Sequence, residues 1–582
     1  MPFDGLVTKS IVTELHSCVL NGKITKILEP TKNEIVLGIY ANGKNYAIAI
    51  CIDSNEYRIH LTTHFKPNPL NAPNFCMFLR KHIMGYRIKN IYTLGLERLI
   101  TIELEGYNEL NDLSTKKLII ELMGKHSNII LINENDIILD SLRHLDTSSN
   151  SNRDILPAHP YMVPLNEKQD ILTLKDFYEF RDKLLSHPSA DLTHMLVNRF
   201  TGFSIPSCSY ILKILNISSA SFSDDDLENL YQFLKQFITS ILQNSSRIVP
   251  ITNERGKMDY CMDFTSKDSN LSNNFFLDDF YFEKEETINF TNYRNGVLKL
   301  ILNTLSKYKV RLKNINQKLE ECSHKDDYQL YGELISANLY RFSKDDIYSS
   351  IVLENYYDQN SLIEIKLNKT ISLYQNMQQF FKKYRKLKNA SEIVAKQKNE
   401  TNQELSYLES IVFELENCKN IQDLNDIYTE ISQNPIFELP ISKKKKTNKK
   451  EKDMPSRPRE YIIDNYTFFI GRNNLQNDYL TTKLANKTDL WFHTKDIHGS
   501  HVILKTNHQT LEEIPENIII TAAQLAAYYS KASLSSNVPV DYCYVKYVKK
   551  PSGSKPGMVI YSNNKTINVT PSDILSFIKS NV

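Results

Sequence analysis

Seven residues, Leu298, Ile301, Leu305, Tyr308, Leu312, Ile315 and Leu319, follow one another at alternating steps of three and four. A stripe with that spacing lies along one side of a helix that cannot bury it alone, so it demands a partner helix. The pattern returns at Tyr374, Met377, Phe381 and Tyr384, and again at Leu405, Leu408, Val412 and Leu415. Ser391, Lys398 and Thr401 interrupt it where apolar side chains are wanted. A softer helical segment, YQLYGELISANLYRF near 328–342, lies between the two arms. The order predicts an antiparallel coiled-coil hairpin over 290–435 with a small helical tip. Arms of about 30 to 45 residues would reach roughly 45 to 65 Å.

The hairpin occupies only part of a 582-residue chain, and one hydrophobic core stops growing near about 250 to 300 residues. Further units are therefore expected, and the chain reads as a multidomain α+β protein. A helix over about 6–20 is followed by short β-branched runs broken by Asn, Gly and Asp between 23 and 62. With the later runs RIKNIYTL, RLITIELEG, KLIIELMG and NIILINE, they predict an N-terminal α+β domain over 1–165. Helical spacing with Pro and Gly breaks then predicts a small helical domain over 166–245 and a connecting segment over 246–289. The run KKKKTNKKEK, with seven lysines in ten residues, marks a basic linker over 436–455. The remainder, 456–582, predicts a C-terminal α+β domain with one helix near 521–532.

Eight cysteines lie far apart with no CxxC pair, which signals neither a zinc finger nor a disulfide scaffold. No apolar run approaches the roughly 18 residues of a membrane span, and the N-terminus does not read as a secretory signal. A cytoplasmic location is the expectation. The net charge of +2, from 70 basic and 68 acidic residues, leaves local charge to reveal any polyanion partner.

The stretch KTDLWFHTKDIHGSHVILK holds the single tryptophan, Trp491, with His493, His498 and His501. Alternation in LWFHT and SHVILK predicts two strands joined by a turn at Gly499, which puts the histidines near a hairpin tip rather than in a metal-binding tripod. No metal and no cofactor is expected. Upstream, GRNNLQNDYLTTKLANKTD supplies Arg472, Asn473, Asn474 and Asp478. Downstream, residues 543–565 carry five lysines, among them Lys546, Lys549, Lys550 and Lys555, and no acid, interleaved with tyrosines. Lysines beside aromatic rings suit phosphate contact and base stacking, while core tyrosines beside solvated lysines are the alternative. These twelve residues form the candidate rRNA-binding set.

The stretch from Gly471 to Lys505 resembles the RNA-binding signature of the NFACT family. RIHLT, PNFCMFLRKHI, GLERLITIE and ELMGKHSNIILI resemble its N-terminal domain. The resemblance implies a non-enzymatic RNA-binding factor. Its partners would be the large ribosomal subunit obstructed by peptidyl-tRNA, and alanyl-tRNA, recruited so that the ribosome adds alanines without a message. It further implies tRNA engagement by Asp4 and by the pair Glu97 and Arg98, where Glu97 stands in place of the family's usual Asp. Ala158 in RDILPAHPY replaces the usual Gly, and His498 the common Pro. Arg58, Arg80 and Lys81 are further basic tRNA candidates in the same domain. From the residues alone, Glu97 and Arg98 also fit a solvated surface pair, and Asp4 fits a helix N-cap. A surface adhesin that binds fibronectin is the alternative function.

Overall fold

The computed structural model describes residues 2–108, 111–146, 153–186, 191–253, 256–263, 272–343, 345–437 and 456–574. The chain divides into two compact units, Met1–Glu286 and Thr287–Val582. No helix among the described residues is long and apolar enough to cross a membrane.

The first unit opens with α1 (Gly5–Val19), followed by β1 (Lys23–Thr31), β2 (Glu34–Ala41), β3 (Lys44–Cys51) and β4 (Arg58–Leu61). After α2 (Asn74–Ile83) come β5 (Arg87–Thr93), β6 (Leu99–Tyr107), β7 (Leu113–Glu121), β8 (Asn128–Asn133) and β9 (Ile138–Ser141). The nine strands make one antiparallel sheet in the order β4-β3-β2-β1-β5-β6-β7-β8-β9, so each half is a meander and β1 joins β5 at the middle. Helix α1 is buried on most of its surface, with Leu6, Val7, Ile11 and Leu15 fully buried, because it lies between the sheet and the helices that follow. Gly5 is required at its start. A side chain there would meet the Leu96 carbonyl oxygen at 1.8 Å.

The helices are α3 (Phe177–Leu185), α4 (Leu192–Arg199), α5 (Ile205–Ile214) and α6 (Asp224–Leu242). Phe180, Phe200, Leu230 and Phe237 belong to the same contiguous core as α1 and the sheet, so the helical segment has no separate core of its own. Within 246–289, expected as a connecting segment, the described residues form regular elements. They form the hairpin β10 (Arg247–Thr252) and β11 (Met258–Asp263) and the start of α7 (Asn273–Ser323). Polar side chains stitch that helix start down: Asn273 accepts from Ile248 N, Asn274 from Leu61 N, and Asp278 from both Thr62 and Thr63.

In the second unit α7 continues, then α8 (Lys325–Asn338), β12 (Ser350–Asn355), β13 (Ser361–Lys366), α9 (Leu373–Asn417) and α10 (Ile421–Gln433) follow. The expected pairing of arms is present: Val297, Ile301 and Leu305 of α7 share a core with Leu405, Leu408, Ile411 and Leu415 of α9. Thr401 is tolerated in the seam because its hydroxyl donates back to the Gln397 carbonyl. Two expectations need correction. The tip is not helical alone, since the β12–β13 hairpin packs on α8 through Ile351 and Leu353. The base is not a simple pair, since α10 adds Leu424, Ile427 and Ile431 to make three helices.

The final elements are β14 (Arg459–Ile463), β15 (Tyr466–Ile470), α11 (Asn474–Tyr479), β16 (Leu490–Thr494), β17 (Val502–Leu504), α12 (Glu516–Tyr528), β18 (Val538–Tyr544), β19 (Val548–Lys549), β20 (Ile560–Tyr561) and β21 (Lys565–Val569). Six of the strands form an antiparallel sheet ordered β14-β15-β17-β16-β18-β21. The helix expected at 521–532 is α12, which starts five residues earlier after Pro515 and ends at Tyr528, and α11 is a second helix that was not expected. The lysine run 443–452 lies outside the described residues.

Candidate RNA-binding surfaces

In the first unit, Asp4 is an N-cap. One carboxylate oxygen accepts from Val7 N at 3.1 Å, and the other from the hydroxyls of Ser204 and Ser207 at the start of α5. Asp4 is 3% exposed, and burial raises its pKa against these hydrogen bonds and the nearby Arg98 charge. It therefore positions rather than contacts. It fixes the helix start, whose Gly5 lies under Leu96 in the turn joining β5 to β6.

Glu97 and Arg98 occupy that turn, both half-buried, but they do not pair with each other. Glu97 accepts from Asn166, while the Arg98 guanidinium donates to the Tyr57 hydroxyl at 2.5 Å and lies 5.5 Å from that ring's centre. Tyr57 is a site residue the sequence did not reveal. Lys168 is another, its pKa lowered by burial and by the Arg98 charge.

The other basic candidates divide by burial. Arg58 is 3% exposed, ion-paired with Glu285 at 2.6 Å and stacked 4.1 Å from the Tyr281 ring centre, so it is a core element and not an RNA contact. Arg80 is likewise engaged, donating twice to the Ile27 carbonyl. Lys81 is exposed on α2.

In the second unit the polar signature faces the chain's own helices. Arg472 pairs with Asp423 at 3.3 Å, Asn473 caps α11 and donates to Asp426, and Asn474 donates to Glu430 and Ser410. Gln476, not singled out from the sequence, reaches Asp423, Asp426 and Ser456. Asp478 holds the lysine-rich loop by accepting from Lys550 and from Gly557 N. The density of Asn and Gln that suggested RNA reading fastens the sheet domain to α9 and α10. Behind it lie two buried carboxyls. Glu430 is raised to about 7 and Glu414 well above the usual range, chiefly by burial, and Tyr407 donates to Glu430 at 2.8 Å.

Trp491 is fully buried, correcting its assignment as an RNA-facing residue. Strand β16 is covered on both faces: Leu490 and Phe492 pack toward α12, while Trp491 packs with Leu480, Ile503 and Cys543 on the other side. The strand was read as alternating because the residues that cover its second face lie elsewhere in sequence.

His493, His498 and His501 converge after all, lining one cleft of about 680 Å³. The His493 and His501 rings are nearly perpendicular with centres 5.4 Å apart, and the Thr481 hydroxyl meets His501 Nδ1 at 2.8 Å. Burial depresses His493 to about 4 and His501 to about 3, and it lowers His498, so all three are neutral at pH 7. Among the described residues no three His, Cys, Asp or Glu side chains gather as metal ligands.

Of the downstream lysines, Lys555 pairs with Glu404 at 3.1 Å and lies over the Tyr407 ring, and Lys550 is taken by Asp478. Lys546 and Lys549 are exposed, with the Lys546 ammonium 5.0 and 4.9 Å from the ring centres of Tyr544 and Tyr547. The Lys546 amide donates to the Lys487 carbonyl, which brings the exposed Lys487 alongside. Exposed cations above half-buried rings make this the surface best suited to a polyanion.

Residues 4–453 match the family of NFACT N-terminal and middle domains, and residues 461–563 match the NFACT protein RNA binding domain. The Rqc2 homolog RqcH of Bacillus subtilis (strain 168) is 34% identical over 588 residues, covering 98% of each chain. Its counterpart in Streptococcus pneumoniae (strain ATCC BAA-255 / R6) is 32% identical over 574 residues, again covering 98% of each. A solved structure of the C-terminal part of the fibronectin/fibrinogen-binding protein from Streptococcus suis is 31% identical, covers 50% of this chain and 98% of that one, and has a TM-score of 0.38. With both domains matched and relatives aligned along almost the whole length, the chain belongs to the NFACT family.

Proposed function

We propose that this chain is a ribosome-quality-control factor: it binds large ribosomal subunits obstructed by peptidyl-tRNA and recruits alanyl-tRNA for alanine tailing of the stalled chain. The supporting observation is its full-length similarity to RqcH proteins with both NFACT domains in order. In this reading the protein is a cytoplasmic, non-catalytic adaptor, monomeric on the ribosome, and the ribosome makes the peptide bonds. Two surfaces carry the work. The lysines Lys487, Lys546 and Lys549 meet rRNA, and the turn bearing Glu97 and Arg98, beside Lys168, meets tRNA. The 45-residue arm α9 supplies reach, about 68 Å at 1.5 Å per residue.

The test is co-sedimentation of the tagged chain with large subunits, sequencing of co-purified tRNA, and detection of alanine tails on a non-stop reporter. Binding should weaken steeply with salt, because each neutralised phosphate releases counterions. Migration only at the top of a low-salt gradient, with no tRNA enrichment, would sink the proposal.

A further inference from the structure

The cleft that gathers the three histidines also holds a cation that makes no ion pair among the described residues. Arg459, at the start of edge strand β14, lines it beside Arg472. Among the described residues its guanidinium makes no side-chain hydrogen bond; it lies 4.5 Å from the Tyr529 ring centre, and the nearby carboxylate, Asp423, is already paired with Arg472. Burial works against its charge, and the neighbouring Arg472 charge adds to the strain. Arg472 has only Asp423 as a carboxylate partner, and its Nε is buried with no acceptor. The remaining acid on the wall, Glu414, has its pKa raised well above the usual range by burial and by Glu430. The walls thus carry three cations, Lys419, Arg459 and Arg472, against two carboxyls, Asp423 and Glu414, around a partly desolvated space whose volume, about 680 Å³, falls within the range of small-molecule sites. A guanidinium fork in such a place is suited to bidentate bonding by a phosphate oxygen pair.

We propose that this cleft binds a phosphate group, with Arg459 as its principal cation and Arg472 beside it. The phosphate belongs to a free nucleotide or to an RNA strand that enters the cleft from its open side. This site is distinct from the lysine surface and does not depend on the ribosomal reading, because it can be tested on the isolated full-length chain.

The probes are inorganic phosphate, AMP and adenosine in titration calorimetry. Phosphate and AMP are expected to bind once per chain and to compete, with adenosine at least about tenfold weaker than AMP, as loss of a charge-assisted contact requires. Arg459→Gln should weaken AMP by about tenfold or more, and Arg459→Lys by less, since it keeps the charge and loses the fork. A second measurement needs no variant. Phenylglyoxal labelling of Arg459 in the wild-type chain, mapped by mass spectrometry, should slow severalfold when phosphate is present. Trinucleotide RNA with and without a 5′-phosphate separates the two sources. A preference for the phosphorylated form points to a strand end or nucleotide, and equal binding that still competes with AMP points to a backbone diester. Labelling that ignores phosphate, or AMP binding unchanged in a folded Arg459→Gln chain, would overturn the proposal.

Discussion

Strand β4 and the β5–β6 turn each present an arginine in the first unit, and the two fare differently. Arg58 is enclosed by Glu285, Tyr281 and His60, while Arg98 is held by one tyrosine and is only half-buried. The contrast comes from chain topology. Glu285 and Tyr281 arrive on α7, more than 200 residues after Arg58, whereas Arg98 makes no ion pair among the described residues and acts on the buried Asp4 only through its nearby charge. An arginine in a basic motif is thus available to RNA only where the fold leaves its acceptors unmade. The second unit repeats the lesson at larger scale: Arg472, Asn473 and Asn474 are consumed by α9 and α10, and Lys546 and Lys549 remain outside.

Exchanging these arginines for alanine should give opposite outcomes. Arg58→Ala removes the buried cation between Glu285 and His60 and leaves Glu285 paired with Lys66 alone. It should cost about 3 kcal/mol of stability, as expected when a largely buried pair is broken, while tRNA recovery per folded molecule stays near wild type. Urea unfolding together with tRNA immunoprecipitation reads both quantities. If Arg58→Ala unfolds no more easily than wild type, the division between enclosed and open arginines fails.

Arg98→Ala should do the reverse. Loss of the Tyr57 contact should change stability by less than about 1 kcal/mol, while losing a charge-assisted bond to tRNA should reduce recovery about tenfold or more. Large subunits should still co-purify, since the lysine surface is untouched. Wild-type recovery and wild-type tails in Arg98→Ala would move the recruiting surface elsewhere.

The junction in the second unit can be probed by pH. Glu430 is buried with Glu414, receives the Tyr407 hydroxyl and the Asn474 amide, and senses Asp478 and Lys550. Its folded pKa of about 7 is raised above the ordinary glutamate value, so the folded state binds the proton more tightly. The resulting stability is complete below the unfolded pKa and is lost as pH rises through 7. Depressed histidines act in the opposite sense, so the informative quantity is the difference from Glu430→Gln, which preserves shape and cannot ionise. Between pH 6 and 8 wild type should lose about 1 kcal/mol more than the variant, measured by denaturant titration at each pH. Parallel pH profiles would show that Glu430 does not hold a proton across this range.

What the sequence made legible follows the range of the interactions. The heptad arms and the first meander depend on neighbours a few residues apart, and they lie where their spacing predicts. The tip strands and α10 were hidden because the arms' periodicity ran up to them and absorbed them. At the site, the three histidines were legible as a group but not as walls of a cleft, since α9 and α12 complete it from distant sequence. Arg459 escaped notice because SRPREYII follows the lysine run and shares its composition. Asn-rich GRNNLQND pointed to a polyanion, yet its side chains bond the chain's own helices, whose acids lie far away in sequence.

The smallest expected effect concerns a motif position outside the residues assigned to either candidate RNA surface. In RDILPAHPY, Ala158 has a φ of +67°, and His159 N donates to the Leu156 carbonyl at 3.2 Å across Pro157 and Ala158. Proline followed by a positive φ is the pattern of a type II turn, whose third position favours glycine. For alanine the left-handed region costs about 1 to 2 kcal/mol, and a glycine there would return about 0.4 to 1 kcal/mol of that through the freedom of the unfolded chain. Ala158→Gly should therefore stabilise the first unit by roughly 0.5 kcal/mol, raising its calorimetric transition by about 1 °C, with tRNA recovery and tails unchanged. This sharpens the comparison from its other end. Arg98 would be a motif residue kept for what it touches, and position 158 one kept for the backbone angle it permits. A drop in stability would show that the alanine methyl makes a packing contact worth more than the strain, and a change in tRNA recovery would place the turn at the RNA surface.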